Sequence, residues 1–250
     1  MKNIPEKFSV SSLPPSSGRS GILFVVATPI GNREDITLRA LRTLQEVDVI
    51  AAEDTRHTGN LLKHFEISKP IVSCHQNSNP EKILYLLAEG KSVALVTDAG
   101  TPGISDPGTK FVSATVSAGF SISSIPGASA FLTALSASGF PANTFSFLGY
   151  APQKKGRETF FRSLREQKET VIFYESTHRI LKCLESLVKE IPNRQIVVAR
   201  ELTKLHEEFL RGTPEDAQEV LKHSPEKQKG EFVVLVAPDR FHLEIRVPKK

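Results

Sequence analysis

Glycines, prolines and carboxylates are concentrated in one loop of the sequence, residues 97–108. The loop reads Thr-Asp-Ala-Gly-Thr-Pro-Gly-Ile-Ser-Asp-Pro-Gly and directly follows the apolar run at residues 93–96. Its glycines permit backbone conformations and close approaches that a Cβ atom forbids, while its prolines stiffen the path. Because open α/β sheets bind ligands at the carboxyl ends of their strands, the loop is predicted to hold a ligand, mainly through its backbone. A plain strand-to-helix turn is the alternative interpretation.

Three further segments of the first half carry polar or small residues after apolar runs. Residues 28–32 read Thr-Pro-Ile-Gly-Asn, and residues 52–56 read Ala-Glu-Asp-Thr-Arg. Charged groups at a sheet edge are costly to bury unless they pair or meet a ligand, so the second segment is either an internal ion network or part of a ligand site. Residues 126–130 read Pro-Gly-Ala-Ser-Ala. They predict a helix start, whose unpaired N–H groups attract anionic or polar ligand atoms.

The second half of the chain has its own charged segments. Residues 174–179 read Tyr-Glu-Ser-Thr-His-Arg and residues 199–204 read Ala-Arg-Glu-Leu-Thr-Lys, each after an apolar run. Basic residues also cluster around Gly156 and open a predicted helix. That cluster is either a solvated helix face or a patch that contacts phosphates.

Alternating apolar β-branched runs and helix-period segments must position these loops. This alternation is typical of an α/β protein with a mainly parallel sheet. The predicted strands are residues 22–27, 47–52, 71–73, 93–97 and 121–125 in the first half, and 144–149, 170–174, 196–200 and 232–236 in the second. A break in both periodicities at 136–143 divides the chain. We therefore predict a flexible extension at 1–20, α/β domains at 21–138 and 142–237, and a tail at 238–250.

Composition narrows the class of protein. The 250 residues carry a net charge of +4, which permits a polyanionic partner without requiring one. No apolar stretch approaches the roughly 18 residues of a membrane span, and the first twenty residues lack the apolar core of a secretory signal. Cys74 and Cys183 lie far apart and form no paired motif, so a reduced, cytoplasmic setting is expected. The histidines have no metal-ligand spacing, and no metal is expected.

Taken together and in this order, the segments at 28–32, 52–56, 97–108, 173–179 and 199–204 resemble the ribosomal RNA small subunit methyltransferase I family. This family lies within the tetrapyrrole methylase-like superfamily, and the resemblance covers residues 23–236. It implies a two-lobed α/β enzyme that holds S-adenosylmethionine in the interdomain cleft and works as a homodimer. Its implied reaction is 2′-O-methylation of a cytidine ribose in the decoding region of 16S ribosomal RNA.

The resemblance also implies site residues. The expected cofactor-binding residues are Pro29, Ile30, Gly31, Gly100, Thr101, Pro102, Ile104, Ser129 and Ala130, with Tyr174, Arg200 and Gly230 from the second half. For a base that accepts the hydroxyl proton, or its orienting partners, the candidates are Asp98, Glu201, Lys204 and Glu175. The predicted phosphate contacts are Arg56, Lys154, Lys155, Arg157 and Arg179. An ordinary salt bridge is the alternative for each carboxylate.

Two other functions remain open at this stage. A methyltransferase acting on a tetrapyrrole precursor would use the same donor site, but those relatives typically carry Gly-Asp-Pro where this chain has Gly100-Thr101-Pro102. This difference at Thr101 favours RNA as the substrate. A non-catalytic RNA-binding protein would keep the basic surface and would not bind the methyl donor.

Overall fold

The computed structural model describes residues 21–243, so most of the predicted tail and all of the predicted extension at 1–20 lie outside the described residues. The chain forms two compact units that divide between Ser129 and Ala130. Each unit contains one five-stranded sheet with helices packed against it. The two-lobed α/β fold predicted from the sequence is confirmed.

The sheet of the first unit is entirely parallel. Its strands are β1 (Ile22–Val26), β2 (Val49–Ala52), β3 (Ile71–Ser73), β4 (Ser92–Val96) and β5 (Ser121–Ile125), in the order β3-β2-β4-β1-β5. The helices are α1 (Leu38–Glu46), α2 (Thr55–His64), α3 (Glu81–Ala88) and α4 (Gly108–Ser117). Successive residues of β2 enter two different core clusters, Val49 and Ala51 in one and Ile50 and Ala52 in the other. The sheet is therefore covered on both faces, as its uninterrupted apolar strands predict.

The sheet of the second unit is mixed. Its strands are β6 (Phe145–Tyr150), β7 (Thr170–Ser176), β8 (Ile196–Arg200), β9 (Glu208–Gly212) and β10 (Glu231–Val236), in the order β6-β7-β10-β8-β9. The helices are α5 (Ala130–Ser138), α6 (Arg157–Ser163), α7 (Ile180–Glu190) and α8 (Pro214–His223). Only β6 and β7 pair in parallel, and the other three pairings are antiparallel. The expectation of a mainly parallel sheet is wrong here, because a fully buried strand is apolar whichever way its neighbour runs.

The division between the units falls before α5, whereas the sequence placed the end of the first domain at 138. The apolar helix α5 packs against β7 and β10 of the second sheet, and those contacts assign it to the second unit. The start of the predicted tail is also packed. Leu243 exchanges two hydrogen bonds with the side chain of Gln195, and Phe241 packs edge-on against Phe140.

Helix ends follow local sequence signals. Thr213 and Asp216 form a capping box at the start of α8, with Pro214 in its first turn. Asp54 caps α2 by accepting hydrogen bonds from the amides of Arg56 and His57, and those bonds lower the pKa of its carboxyl group. Between residues 21 and 243, no helix is long and apolar enough to cross a membrane.

Candidate functional site

The loops after β1 and β4 are joined by a short antiparallel bridge between Thr28 and Gly100. The amide of Thr28 donates to the carbonyl of Gly100 at 2.9 Å, and the amide of Gly100 donates back at 3.1 Å. The buried Thr28 hydroxyl donates to the carbonyl of Thr97 at 3.1 Å. Two predicted ligand loops are thus held together at the carboxyl edge of the first sheet.

Glycine is required at two points of the loop after β4. Gly100 has a φ of +84°, and a Cβ atom there would lie 3.4 Å from Ile30 Cγ2. A Cβ atom on Gly108 would lie 2.6 Å from the amide nitrogen of Gly103. Asp106 accepts hydrogen bonds from the amides of both Gly103 and Gly108 and ties the loop to the start of α4. The loop is therefore a fixed shape built around its own backbone.

Several loop amides predicted to face a ligand are already used within the loop. The amide of Gly100 donates to Thr28, that of Gly103 to Asp106, and that of Ile104 to the carbonyl of Thr101 at 3.2 Å. Among the described residues, the amides of Gly31 and Thr101 donate to no acceptor. The amides of Gly100, Gly103 and Ile104 therefore shape the loop, whereas those of Gly31 and Thr101 remain available to a ligand.

The segment after β5 contributes small side chains at the same edge. A Cβ atom on Gly127 would lie 2.9 Å from the Cβ of Ala27, so this backbone passes close to the end of β1. The Thr101 hydroxyl donates to the carbonyl of Ala128 at 3.1 Å. Ser129 is buried, and Ala130 is the first residue of α5, as predicted.

Acidic side chains follow β2 and β4. Asp98 is half-buried, and its Oδ1 accepts a hydrogen bond from the amide of Asp54 at 3.0 Å. The Thr97 hydroxyl donates to Glu53 Oε2 at 2.7 Å. Arg56 is exposed and, within residues 21–243, forms no ion pair, so the alternative of an internal ion network between Arg56 and its acidic neighbours is not seen in the described structure.

Glu175 lies inside β7, in a structural ion network. Its Oε2 is 2.9 Å from Nη1 of Arg157 and its Oε1 is 2.9 Å from Nη2 of Arg179, while the amide of Ser176 also donates to Oε1. The carboxylate side chain is fully buried. Both arginines bond the backbone as well, Arg157 to Pro152 and Arg179 to Ala151. Glu175, Arg157 and Arg179 thus stabilise the second unit together.

Glu201 and Lys204 form an ion pair. Lys204 Nζ lies 3.0 Å from Glu201 Oε1 and 3.1 Å from Glu231 Oε2. Burial alone would raise the pKa of Glu201, but hydrogen bonds from Lys204 and the Glu231 amide, with the nearby positive charges, outweigh it and the net shift is downward. Burial alone would lower the pKa of Lys204, and the two carboxylates raise it overall. Lys204 is therefore an ammonium group at neutral pH and cannot serve as a base.

Two predicted cofactor residues of the second unit adjoin this pair. Gly230 has a φ of +105°, and a Cβ atom there would collide with the Glu201 carboxylate. Arg200 is buried, with Nη1 donating to the carbonyl of His206 at 3.3 Å and Nη2 to that of Lys229 at 3.2 Å. Gly230 therefore provides the space in which Glu201 meets Lys204.

Tyr174, the third predicted cofactor residue of this unit, belongs to an aromatic cluster. Its ring packs edge-on against Phe147 at 5.0 Å and Tyr150 at 5.3 Å between centroids. Phe131 of α5 stacks on Phe147 at 4.4 Å. Burial raises the pKa of Tyr174 to about 12, so the phenol stays neutral.

Lys154 and Lys155 are exposed in the turn that precedes α6. Neither forms an ion pair with another described residue. Of the predicted phosphate contacts, these two and Arg56 are the ones whose charges remain free.

Comparison with known proteins decides the family. The Tetrapyrrole (Corrin/Porphyrin) Methylases profile matches residues 23–218. The chain is 47% identical over 220 residues to the ribosomal RNA small subunit methyltransferase I of Halalkalibacterium halodurans, covering 86% of this chain and 75% of that protein. It is also 47% identical to the protein of that name from Haemophilus influenzae, covering 87% and 78%. The chain belongs to the ribosomal RNA small subunit methyltransferase I family. The resemblance inferred from its motifs is confirmed, and the protein is a methyltransferase.

The fold of this family member also agrees with solved tetrapyrrole methylases. The uroporphyrin-III-C-methyltransferase of Thermus thermophilus aligns with a TM-score of 0.61 over 87% of this chain and 94% of that one. Sequence identity is 21%, so this likeness concerns the fold alone.

Sequence reasoning missed three residues that organise the candidate loops of the two units. Thr28 bridges two loops, Asp106 ties the glycine loop, and Glu231 is the second partner of Lys204. Asp106 carries a local signal, since an Asp two residues before a glycine at a helix start accepts amide hydrogen bonds. Glu231 carries none, because its pairing depends on the register between β10 and β8.

Proposed function

We propose that this protein transfers the methyl group of S-adenosylmethionine to the 2′-hydroxyl of a cytidine ribose in the decoding region of 16S ribosomal RNA. The observation that carries the proposal is the 47% identity, over 220 residues, to a protein named ribosomal RNA small subunit methyltransferase I. The joined glycine loops support it from the structure, because they form a preorganised edge with free backbone donors.

The first unit fits a methyl donor with a polar amino-acid moiety and a heterocycle. A Cβ atom on Gly100 or Gly127 would meet Ile30 or Ala27, so glycine at these two positions lets the loop backbones pack closely at this edge of the sheet. The amides of Gly31 and Thr101 supply donors, Pro29 and Ile104 supply apolar surface, and the buried Pro102 stiffens the loop. S-adenosylmethionine, when bound, supplies an electrophilic methyl group on a sulfonium. Ser129, Ala130, Tyr174, Arg200 and Gly230 remain proposed donor contacts.

Positioning is the larger part of the expected rate enhancement. Holding reacting groups about 3 to 3.5 Å apart contributes on the order of 7 to 11 kcal/mol, whereas a general base contributes roughly 10² to 10⁴-fold. Rigid loops are suited to positioning, since no loop rearrangement has to accompany the reaction. The bridge at Thr28 and the ties made by Asp106 provide that rigidity.

Asp98 is the best-placed proton acceptor. Its Oδ1 accepts the Asp54 amide, and its Oδ2 has no hydrogen-bond partner in the described part of the chain. Glu201 is ionised and weakened as a base by Lys204, so we assign this pair to orientation and charge. We withdraw Glu175 from the reaction and Arg157 and Arg179 from phosphate binding, because both guanidinium groups are already paired with the buried Glu175 carboxylate. Arg56, Lys154 and Lys155 stay as proposed RNA contacts.

Methylation of purified small ribosomal subunits tests the proposal directly. Subunits from a methylation-deficient strain are incubated with labelled S-adenosylmethionine and the full chain, and the modified nucleoside is mapped by mass spectrometry. We expect one label per subunit, on a cytidine ribose. Label on a base, on protein or on added tetrapyrrole precursors instead would refute the assignment.

Two rival functions give different results in the same assay. A tetrapyrrole-precursor methyltransferase would leave ribosomal subunits unlabelled; Thr101, which stands at the position of the Asp in Gly-Asp-Pro, argues against it. A non-catalytic RNA-binding protein would show no heat on titration with S-adenosylmethionine. We further propose a homodimer in the cytoplasm, and light scattering of the purified protein tests the oligomeric state.

A further inference from the structure

The outward side of helix α2 is basic. Its exposed side chains are those of Arg56, His57, Asn60, Lys63 and His64. These positions share one side of the helix, because residues three, four and seven apart lie on the same face. The opposite side carries Thr58 and Leu62, which are buried. None of the ten residues of α2 is acidic, so the helix presents positive charge and N–H donors to the surface.

Arg33 extends this surface from the segment that follows β1. Its Nη1 lies 3.2 Å from Nδ1 of His64. Because a guanidinium group only donates hydrogen bonds, Nδ1 accepts, and the ring proton of the neutral imidazole lies on Nε2. Both side chains are exposed and add further N–H donors to the surface. We refer to Arg33 together with the exposed residues of α2 as the α2 surface.

The positive charges of the α2 surface are not neutralised by ion pairs. Within residues 21–243, Arg33, Arg56 and Lys63 form none. The acidic residues at the borders of the surface are Glu34, Asp35, Asp54 and Glu66. None of these carboxylates lies within ion-pair distance of a basic side chain in the described chain. The positive charges therefore remain available to a ligand.

Helix α7 shows how an ordinary solvated helix face differs. Its exposed charges are of both signs, with Glu185 between Lys182 and Lys189. A face of mixed sign neutralises itself, whereas a face with positive charges alone attracts a polyanion. This contrast favours a binding role for the α2 surface over mere solvation.

Both ends of the α2 surface adjoin loops that the proposed reaction uses. Just before α2, the amide of Asp54 donates to Oδ1 of Asp98 at 3.0 Å, and Arg56 follows two residues later. At the end of α2, His64 contacts Arg33, which lies two residues after Gly31. All these residues belong to the first unit. A polyanion bound here lies beside the loops that follow β1, β2 and β4.

The length of the α2 surface suits several phosphates. Arg56 and His64 are eight residues apart, which is about 12 Å along a helix. A nucleic-acid strand carries one phosphate for about every 3.4 Å of helix axis, so this length faces about three phosphates. The amide of Asn60, in the middle, can donate to a phosphate or a ribose hydroxyl.

We propose that the α2 surface binds the sugar-phosphate backbone of the ribosomal RNA strand beside the methylated ribose. The inference rests on the proposed function, because it names the surface that holds the substrate of that reaction. Phosphate contacts position a strand without reading its bases. The α2 surface therefore determines where the ribose lies and not which base is selected.

A tethered iron–EDTA probe, which cuts nearby RNA, tests the location of the strand. The native Cys74 and Cys183 are buried, so the exposed Asn60→Cys variant is labelled selectively and loses no charge. We expect the labelled full chain to cut the RNA of methylation-deficient small subunits in one short region, beside the ribose that the methylation assay labels. Glu185→Cys on the exposed face of α7 is the control and should not cut there. No RNA cleavage by the Asn60→Cys probe, cleavage of ribosomal proteins alone, or the same pattern from both probes overturns the proposal.

Removal of charge gives an independent measurement. Arg56→Ala with Lys63→Ala should flatten the slope of log K against log salt for a single-stranded RNA by about 1.4, since each phosphate contact contributes about 0.7. KM for small subunits should rise, while the Kd for S-adenosylmethionine stays unchanged. Lys182→Ala with Lys189→Ala is the matched control, because it also removes two exposed positive charges seven residues apart on one helix. A flattening of about 0.7, as expected from Arg56 alone, or one equal to that of the control overturns the proposal.

The two proposals fail separately, because RNA cleavage by the probe requires no methyl transfer. Labelled ribose without cleavage by the Asn60→Cys probe would leave the methyltransferase function intact and remove the α2 surface from RNA binding. A single cut region without ribose labelling would keep the RNA-binding surface and reject the reaction.

Discussion

Asp98 combines partial burial with one carboxylate oxygen that no described residue occupies. Asp98→Asn keeps the shape but removes the proton acceptor, so turnover on small subunits should fall about 10² to 10⁴-fold while the Kd for S-adenosylmethionine changes little. Single-turnover kinetics and calorimetry measure the two quantities. Asp35→Asn, an exposed site, is the control. Full activity of Asp98→Asn would remove this residue from the mechanism.

The ion pair between Glu201 and Lys204 predicts a pH dependence of stability. Because the pKa of Glu201 is lowered from its ordinary value of 4.5 in the folded protein, the ionised carboxylate stabilises the fold at pH values above 4.5. This contribution is lost as the pH falls through the lowered pKa. Because the pKa of Lys204 is raised from its ordinary value of 10.5 in the folded protein, the ammonium group stabilises the fold at pH values below 10.5. This contribution is lost as the pH rises through the raised pKa. The free-energy difference between wild type and Lys204→Met should therefore be flat near neutrality and shrink at both extremes. Urea unfolding across pH measures it; a difference independent of pH contradicts the pairing.

Glu175 predicts a stability effect rather than a catalytic one. Glu175→Ala leaves Arg157 and Arg179 without their shared carboxylate, and breaking such a buried network costs about 3 to 5 kcal/mol. Urea unfolding should show that loss, whereas Glu185→Ala on the exposed face of α7 should show almost none. A stable Glu175→Ala protein without turnover would return this residue to the reaction.

At the scale of elements, the loop after β4 depends on a backbone that only glycine adopts readily. Gly100→Ala should cost about 1 to 3 kcal/mol of stability through its φ and should weaken S-adenosylmethionine binding, because the Thr28 bridge and Ile30 must shift. Gly119→Ala is a matched control, since Gly119 has a φ of +76° and a Cβ atom added there would have no neighbour within 4 Å. It should lose similar stability and keep donor affinity. Calorimetry separates the two effects, and equal donor affinity in both variants would show that the loop does not hold the donor.

Most elements were predictable because their signals are local. The apolar run of β4 and the capping box of α8 can be read from adjacent residues. Strand β9 was missed because its sequence, Glu-Phe-Leu-Arg-Gly, is half-polar and suits an edge strand. The carboxyl end of β7 was predicted at 174 and lies at Ser176, because Glu175 is charged but paired inside the strand. Its arginine partners lie in other segments, and that pairing has no local signature.

At the scale of the whole molecule, the sequence predicted two α/β units but not the directions of the strands in the second. Antiparallel pairing of β10 with β7 and β8 buries the same residue types that a parallel sheet would bury. Helix α5 was assigned to the wrong side of the division because its apolar composition does not tell which sheet it covers. The direction of the strands and the sheet that α5 covers both depend on which elements pack together, and local sequence propensities do not determine this.

The whole molecule carries a net charge of +4, but we expect electrostatic attraction to RNA to come from the few positively charged side chains that form no ion pair. Lys154 and Lys155 are exposed and unpaired within the described chain, whereas Arg157 is held by Glu175. Replacing both lysines with alanine should weaken RNA binding and flatten the slope of log K against log salt by about 1.4, since each contact with a single strand contributes about 0.7. Fluorescence anisotropy with a single-stranded RNA across salt concentrations measures the slope. The control is the double variant Lys182→Ala with Lys189→Ala, which removes two exposed positive charges from α7 and lowers the net charge by the same amount. If both double variants flatten the slope equally, long-range attraction by the net charge, and not contact at the turn before α6, accounts for the salt dependence.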